Sequence, residues 1–425
     1  MSDARALTIE EPRLTTRRSV RHRVPRHVAI ALPLALAGVF SLLVSGNALR
    51  PFEHITTIEA KMASKSDYFR DPEVQRLLLK HGIRMDIHLL GSRGAATQSL
   101  EGMDVVFPSG QLAAKLIFVR LHRSVKSARP FVTPLVLATF RDYAETLVRA
   151  GVATPQKPRD GERKTLYYGL DMRKFMTLLD GKDSEGHEGN GADTWNRIGF
   201  GRAGRSNKGR VLVRTSSVCQ SNSAGTYLSI LAFVRNGNVA PGVPDENDTK
   251  GAGADDRALD VAREIKPMIN LQGMAADEQA DSYFSDLGES IAPISVIYEH
   301  QYLAHQIDYQ RKHRKQDTRR VLLYPTPYAL TEPQLISLTD KGDKLSDLME
   351  SDPALRQRAI QLGFRVRFSG EDGTSDQLNE YLRERGIQVP TPNSDQTKVD
   401  ESDVDVLEKI IDYVGNCPPP VKDTP

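Results

Sequence analysis

The sequence is poor in the features that mark many familiar classes of protein. It has two cysteines, Cys219 and Cys417, too few for a disulfide framework and without metal-ligand spacing, and their pairing stays open. It contains no G-x-S-x-G, H-E-x-x-H, Walker or EF-hand motif, and its ten histidines are scattered. Ser109 is a conceivable nucleophile, but no base partner can be identified, so a loop or capping role is favoured. We therefore expect no enzyme, no metal site and no cofactor.

The overall net charge of +2 hides an uneven distribution along the chain. Residues 1–27 contain seven arginines against three acidic residues, a net charge of +4, so the remainder carries −2. A body this close to neutral lacks the electrostatic footprint of a nucleic-acid-binding protein. No nucleic-acid partner is expected.

An apolar run follows the arginine-rich tail. Residues 28–44, VAIALPLALAGVFSLLV, contain no charge, and extension to Leu49 gives roughly 33 Å of helix, enough to cross a bilayer. The positive side stays in the cytoplasm, which predicts a cytoplasmic tail over 1–27, a single-pass signal anchor over 28–49 and an extracytoplasmic body. The alternative is a cleaved signal peptide, with Gly46 and Ala48 at the −3 and −1 positions.

Beyond this segment the chain alternates predicted strands and helices, and several strands end in small polar residues. Because such ends lie along one edge of an open parallel sheet, they are expected to converge on a ligand. Hydroxyls, backbone N–H groups and one or two cations would hold an oxyanion or a carboxylate. The predicted ligand-binding residues are Ser64, Lys65, Ser92, Arg93, Ser109, Gly110, Ser217, Asn222, Ser223, Tyr298 and Glu299.

The most informative stretch is 211–237. An apolar run, Val211–Val213, predicts a buried strand, the hydroxyl-rich segment 215–223 follows, and a helical apolar spacing begins at Ala224. A helix N-terminus after such a segment suits an anion. The other interpretation is that Ser221, Asn222 or Ser223 only caps the helix.

Several segments resemble the extracellular substrate-binding-like proteins of actinobacteria: KSDYFRDPEVQRLLLKHGIRMDIHLLGSRG, DVVFPSGQLAAKLI, TSSVCQSNSAGTYLSI, VIYEHQ and VLLYPTPYALTEPQLISLTDKGDKLSDLMESDPALRQRAIQLGFRV. These are similar in turn to type 2 periplasmic binding proteins, which capture phosphate, sulfate or molybdate. The resemblance covers about residues 55–368. It implies an α/β, two-lobed (Venus flytrap) body with two crossing strands, ligand in the cleft and hinge closure. Gly91–Arg93 and Ser221–Gly225 match positions where anion-binding relatives use helix N-termini.

These observations predict a domain order and a function. Lobe 1 is expected from 50–138 with 300–389, and lobe 2 from 139–299 with mobile loops at 180–209 and 236–257. A polar, loosely attached C-terminal tail is expected over 390–425, apart from a short helix over Val404–Val414. The predicted function is a membrane-anchored solute-binding protein that captures a small anionic ligand and passes it to a transporter or reports it to a sensor. The alternative is a structural or assembly protein of the cell envelope that keeps the fold without the ligand.

Overall fold

The computed structural model describes residues 55–158, 164–181, 193–201, 206–243, 253–275, 279–366, 376–391, 397–399 and 404–418, together with Ala37, Gly38 and Ser41. The chain divides into Met1–His54 and Ile55–Pro425, and every element below belongs to the second unit. The predicted tail 1–27, most of the predicted anchor 28–49, and parts of both predicted loops lie outside the described residues. Within the described part of the chain, none of the helices combines the length and apolar character needed to cross a membrane.

The fold is mixed α/β. The strands are, in chain order, β1 Thr56–Met62, β2 Ile83–Leu89, β3 Val105–Phe107, β4 Ser127–Ala128, β5 Phe131–Phe140, β6 Ala153–Pro155, β7 Tyr167–Asp171, β8 Thr215–Ser216, β9 Met274–Ala275, β10 Ile294–Tyr298, β11 Arg320–Thr326, β12 Leu330–Thr331, β13 Leu335–Ser337 and β14 Arg365–Val366.

The helices are α1 Ser66–Arg70, α2 Pro72–Lys80, α3 Ser92–Thr97, α4 Gln111–Leu121, α5 Arg141–Arg149, α6 Met172–Asp180, α7 Asn222–Arg235, α8 Ala254–Gln272, α9 Gln279–Phe284, α10 Gly288–Ile291, α11 Glu299–His313, α12 Asp340–Ser351, α13 Pro353–Gln361, α14 Asp376–Glu384 and α15 Val404–Gly415.

A first sheet has the strand order β2-β1-β3-β13-β4. β1 pairs in parallel with both β2 and β3, so these three strands end at the same edge. β13 returns from much later in the chain and is antiparallel to β3 and β4. β1 buries Ile58, Ala60 and Met62 on one face, the alternation expected of a half-covered strand. Its carboxyl end leads directly into Ser64.

A second sheet has the order β10-β5-β11-β7-β6. The long strand β5 lies between β10 and β11, antiparallel to both, and its first half pairs with β12 and β14. The first sheet takes β1 to β4 and the later β13, whereas β14, which follows β13, pairs with β5. The predicted boundary at 138 falls inside β5 and the one at 300 at the start of α11, and the lobe boundaries stay a prediction.

The predicted strand Val211–Val213 is replaced by irregular backbone. Val211 and Val213 are buried as expected, but the segment is paired only through isolated bridges at its two ends, Arg210 with Thr194 and Arg214 with Ser295 at the edge beside β10. Two backbone bonds, Arg214 N–H to Ile294 O and Val296 N–H to Arg214 O, hold the second bridge. The segment therefore reaches the second sheet only at one residue before turning into α7.

The C-terminal part of the body is packed rather than loose. In α15, the residues Val406, Leu407, Ile410, Ile411 and Val414 are buried, and the helix lies against α8. Just after it, Cys417 forms a disulfide with Cys219 across a separation of 198 residues. The helix predicted over Val404–Val414 is therefore present, but this part of the tail is attached by a buried helix face and a disulfide rather than loosely.

Candidate functional site

A polar cavity of about 440 Å³ lies at the carboxyl ends of β1 and β2. Its walls come from the segments after β1 and β2 of the first sheet, from the segment between β8 and α7, and from α9 and α11. Its polar lining consists of Ser64, Ser66, Asp67, Arg70, Gly91, Ser92, Ser216, Ser217, Gln220, Ser221, Asn222, Asp281 and Gln301. The predicted convergence of polar strand ends is therefore found for Ser64, Ser92, Ser217 and Asn222.

Three serines join the ends of the parallel strands β1, β2 and β3. Ser64 Oγ lies 2.6 Å from Ser109 Oγ, and the Ser109 N–H donates to Ser92 Oγ at 2.9 Å. Ser92 and Ser109 are almost completely buried. Ser109 thus has another serine, not a base, as its side-chain partner, which gives no support to a nucleophilic role. The three hydroxyls instead fix the cavity floor.

The N-termini of helices α4, α7 and α11 lie close together, next to these serines. A Cβ at Gly110, just before α4, would lie 2.4 Å from Asn222 Nδ2, so only glycine fits there. Asn222 Nδ2 in turn donates to the hydroxyl of Tyr298, the residue before α11, at 3.1 Å, and to Thr226 Oγ1 at 3.3 Å. Each helix N-terminus contributes a partial positive charge.

Lys65 brings a full positive charge to the same region. Its side chain is completely buried, and its Nζ lies 2.7 Å from the centroid of the Tyr298 ring, a cation–π contact. Burial, together with the Lys65 ammonium, holds the pKa of the neighbouring His300 well below its usual value, so that imidazole is neutral. Lys65 sits between Ser64 and Ser66, which both line the cavity.

Seven predicted site residues do not line the cavity: Lys65, Arg93, Ser109, Gly110, Ser223, Tyr298 and Glu299. Arg93 and Glu299 direct their side chains to ion pairs elsewhere. The Arg93 guanidinium pairs with Glu408 through both carboxylate oxygens and with Asp412 at 2.8 Å, both on α15. Glu299 is buried in a two-bond ion pair with Arg365 and accepts from the Tyr324 hydroxyl at 2.6 Å. Neither side chain lines the cavity.

Ser223 does not line the main cavity but lies next to a residue that does. Its Oγ is 2.8 Å from Ser221 Oγ, and it lines a small adjoining pocket together with Ser216 and Tyr298. Ser223 therefore contacts Ser221, which lines the cavity itself.

Charged residues at the cavity wall were missed by the sequence interpretation. Asp67 and Arg70 lie on α1, immediately after the predicted cluster, and Asp281 lies on α9. Loss of surrounding water raises the pKa of Asp67; Arg70 opposes this, and Asp281 adds to it. Asp67 and Arg70 could have been identified from the sequence, because they follow the predicted strand end at Ser64 within six residues. Asp281 could not, because the sequence around it does not resemble a strand end.

One group of three metal-ligand side chains occurs among the described residues. Glu59, Asp86 and His88 lie on the open face of β1 and β2, with ligand atoms within 4.8 Å of one another. His88 Nε2 is 3.0 Å from Glu59 Oε2, and His88 and Asp86 are exposed. Because the three groups lie outside the cavity lining, they do not bear on its chemistry.

Neither a protein-family model nor a curated protein sequence matches this chain. Its fold is similar to the sulfate-binding protein SubI from Mycobacterium tuberculosis H37Rv, at 13% identity and a TM-score of 0.43, over 83% of this chain and 96% of that one. Iron-bound HitA from Pseudomonas aeruginosa is 8% identical, with a TM-score of 0.49 over 85% and 99%. The Azotobacter vinelandii periplasmic molybdate-binding protein is 11% identical, with a TM-score of 0.39 over 72% and 98%. The likeness concerns the mixed α/β fold alone.

Proposed function

We propose that the body is a solute-binding protein that encloses a small anionic molecule in the polar cavity. The observation that carries this proposal is the meeting of polar segments from separate parts of the chain (after β1, after β2, before α7, and on α9 and α11) around one space of about 440 Å³. This volume falls in the range of pockets that enclose small molecules, about 300–1,000 Å³. A hydroxyl-rich lining that comes from separate parts of the chain suits hydrogen bonding from several directions.

The preference for an anion rests on the local field. Three helices of 11, 14 and 15 residues begin around Gly110, Asn222 and Tyr298, and Lys65 adds a cation beside them. Asp67 and Asp281 place carboxylate acceptors at the wall, and their negative charge opposes a purely negative ligand. An oxyanion or a carboxylate that also carries a hydrogen-bond donor satisfies both sets of groups.

The same proposal includes an extracytoplasmic location. A disulfide between Cys219 and Cys417 persists in an oxidising compartment and is rare in the cytosol. The apolar run 28–49 after an arginine-rich tail fits an anchor that leaves the body outside, with a cleaved signal peptide as the alternative. A transporter or a sensor in the same membrane would receive the ligand.

A thermal-shift screen of the purified body with phosphate, sulfate, molybdate, amino acids and sugars tests this function. A ligand at 100 times its Kd should raise the free energy of unfolding by about 2.7 kcal/mol. Ser217→Leu, which fills part of the cavity, should abolish the shift. Ser124→Leu, at an exposed position outside the lining, should preserve it. A ligand shift that survives Ser217→Leu would place binding elsewhere.

One observation favours a second candidate, an envelope protein that keeps the fold without a ligand. The Arg93 charge is neutralised by Glu408 and Asp412, while Asp67 and Asp281 face the cavity. Among the lining residues, carboxylates therefore outnumber guanidinium and ammonium groups. Folded protein that responds to none of the compounds would support this candidate and contradict solute binding.

A further inference from the structure

The C-terminal strap, defined here as residues 404–418, touches both walls of the cavity. Its helix α15 packs along α8 and also contacts α7 and α4. Lys266 of α8 donates to Tyr413 O at 2.6 Å and to Asn416 Oδ1 at 2.8 Å. These contacts fix the strap to the side of the body that carries α7 and the second sheet.

The strap is also bonded covalently to the cavity wall. Cys417 is disulfide-linked to Cys219, which lies between the lining residues Ser217 and Gln220. A Cβ at Gly415 would come within 2.8 Å of both sulfur atoms, so the end of α15 closes tightly over the bridge. The position of α15 is thereby tied to the position of this wall segment.

The opposite wall reaches the strap through Arg93. This residue follows Gly91 and Ser92, which line the cavity from the first-sheet side. The Arg93 side chain, only 12% exposed, pairs with Glu408 and Asp412. The backbone N–H of Arg93 donates to Gln220 O at 3.1 Å. One residue therefore holds both the strap and the opposing wall segment.

We propose that the strap is a latch that holds the two cavity walls together, with the Arg93 ion pairs as its releasable contact. The disulfide keeps Glu408 and Asp412 facing Arg93, and separation of the walls requires that these pairs break. The inference rests on the proposed solute-binding function, since a latched cavity controls the release of what it holds. Charge-assisted hydrogen bonds of this kind are strong enough to slow opening by about tenfold.

Amide hydrogen exchange of the full chain tests the latch without a ligand. Arg93→Gln should raise exchange about tenfold at residues 91–97 and 216–222, and Glu408→Gln with Asp412→Asn should have the same effect. Adding the three changes together should raise exchange no further, because they break the same contact. Arg235→Gln is the matched control, since Arg235 pairs with Asp180 at 2.6 Å, at a similar exposure but away from the cavity.

The outcomes separate the latch from a purely structural strap. Faster exchange confined to α15, or a response to Arg93→Gln no larger than to Arg235→Gln, would overturn the latch. If the screen yields a ligand, Arg93→Gln should also raise its dissociation rate about tenfold with little change in association. If the screen yields none, solute binding fails, while the exchange measurement still decides whether the walls are latched.

Discussion

A single methyl group at position 91 should force apart the two walls of the cavity. Gly91 has φ −60° and ψ 149°, an extended conformation that alanine adopts without strain. A Cβ there would lie 2.4 Å from the carbonyl oxygen of Gln220 and 3.0 Å from its carbon, whereas ordinary contacts begin at 3.4 Å. Gly91→Ala therefore requires the two segments to separate by about 1 Å, because packed atoms cannot overlap.

The cost follows from this overlap. Overpacking of a close contact costs about 1–3 kcal/mol. Separation also weakens the bond from Arg93 N–H to Gln220 O, worth about 1 kcal/mol. Gly253→Ala is the matched control, because Gly253 also precedes a helix and has φ −66° and ψ 160°. A Cβ at this position would lie 3.8 Å from its nearest neighbouring atom, an ordinary contact distance.

Urea denaturation followed by circular dichroism measures the difference, and hydrogen exchange locates it. Gly91→Ala should be less stable than Gly253→Ala by about 1–3 kcal/mol, with faster exchange at residues 91–97 and 216–222. Both variants place alanine before a helix in the same backbone conformation, so the helix-capping effect cancels. Equal stability and equal exchange would refute the close approach of the two walls on which the enclosed cavity depends.

Three further perturbations probe the rest of the body. Replacing Cys219 and Cys417 with serine removes the cross-link between residues 198 positions apart. The chain-entropy relation gives a loss of about 5 kcal/mol in the free energy of unfolding, which denaturation without reductant measures. A loss below about 1 kcal/mol would contradict the stabilisation that the chain-entropy relation gives. Arg365→Met leaves the Glu299 carboxylate buried without its cation and should cost about 3–5 kcal/mol in urea denaturation, most of it regained when Glu299 becomes Leu as well. Burial alone would raise the pKa of Asp317, but hydrogen bonds from His305, the Arg319 N–H and Arg320 hold this pKa well below its usual value. The ionised Asp317 therefore stabilises the fold near neutral pH, and this stabilisation is lost as the pH falls below about 4. Asp317→Asn should therefore flatten the acid side of the stability profile, and an unchanged slope would contradict these contacts.

The predictable part of the site is the part that secondary structure alone determines. Ser64, Ser92 and Ser109 follow β1, β2 and β3, and parallel pairing brings these ends together whatever the rest of the chain does. Asn222 begins α7, and the helical spacing after it located that end correctly. In each case a short-range pattern identified a residue whose position the sheet or the helix then fixed.

The unpredictable part depends on contacts between distant segments. Arg93 looked like a ligand cation because it follows a strand, but its partners Glu408 and Asp412 lie more than 300 residues away. They belong to a helix that was predicted, but in a tail that was expected to be loosely attached. Glu299 likewise pairs with Arg365, which β14 brings beside β5. Local patterns carry no information on such pairings, so each charge appeared available from the sequence.

The distribution of charge explains how a nearly neutral body can favour an anion. A buried ammonium group such as that of Lys65 loses its hydration, which costs several kcal/mol before any compensation. Contact with the Tyr298 ring offsets part of this cost, and the neutral state of His300 avoids a second adjacent cation. Because buried surroundings are poorly screened, a charge at this position acts over a longer distance than a surface charge does. The net charge of the chain therefore indicates little about the proposed anionic ligand, and the proposal rests instead on the placement of Lys65 beside Tyr298 and the helix N-termini.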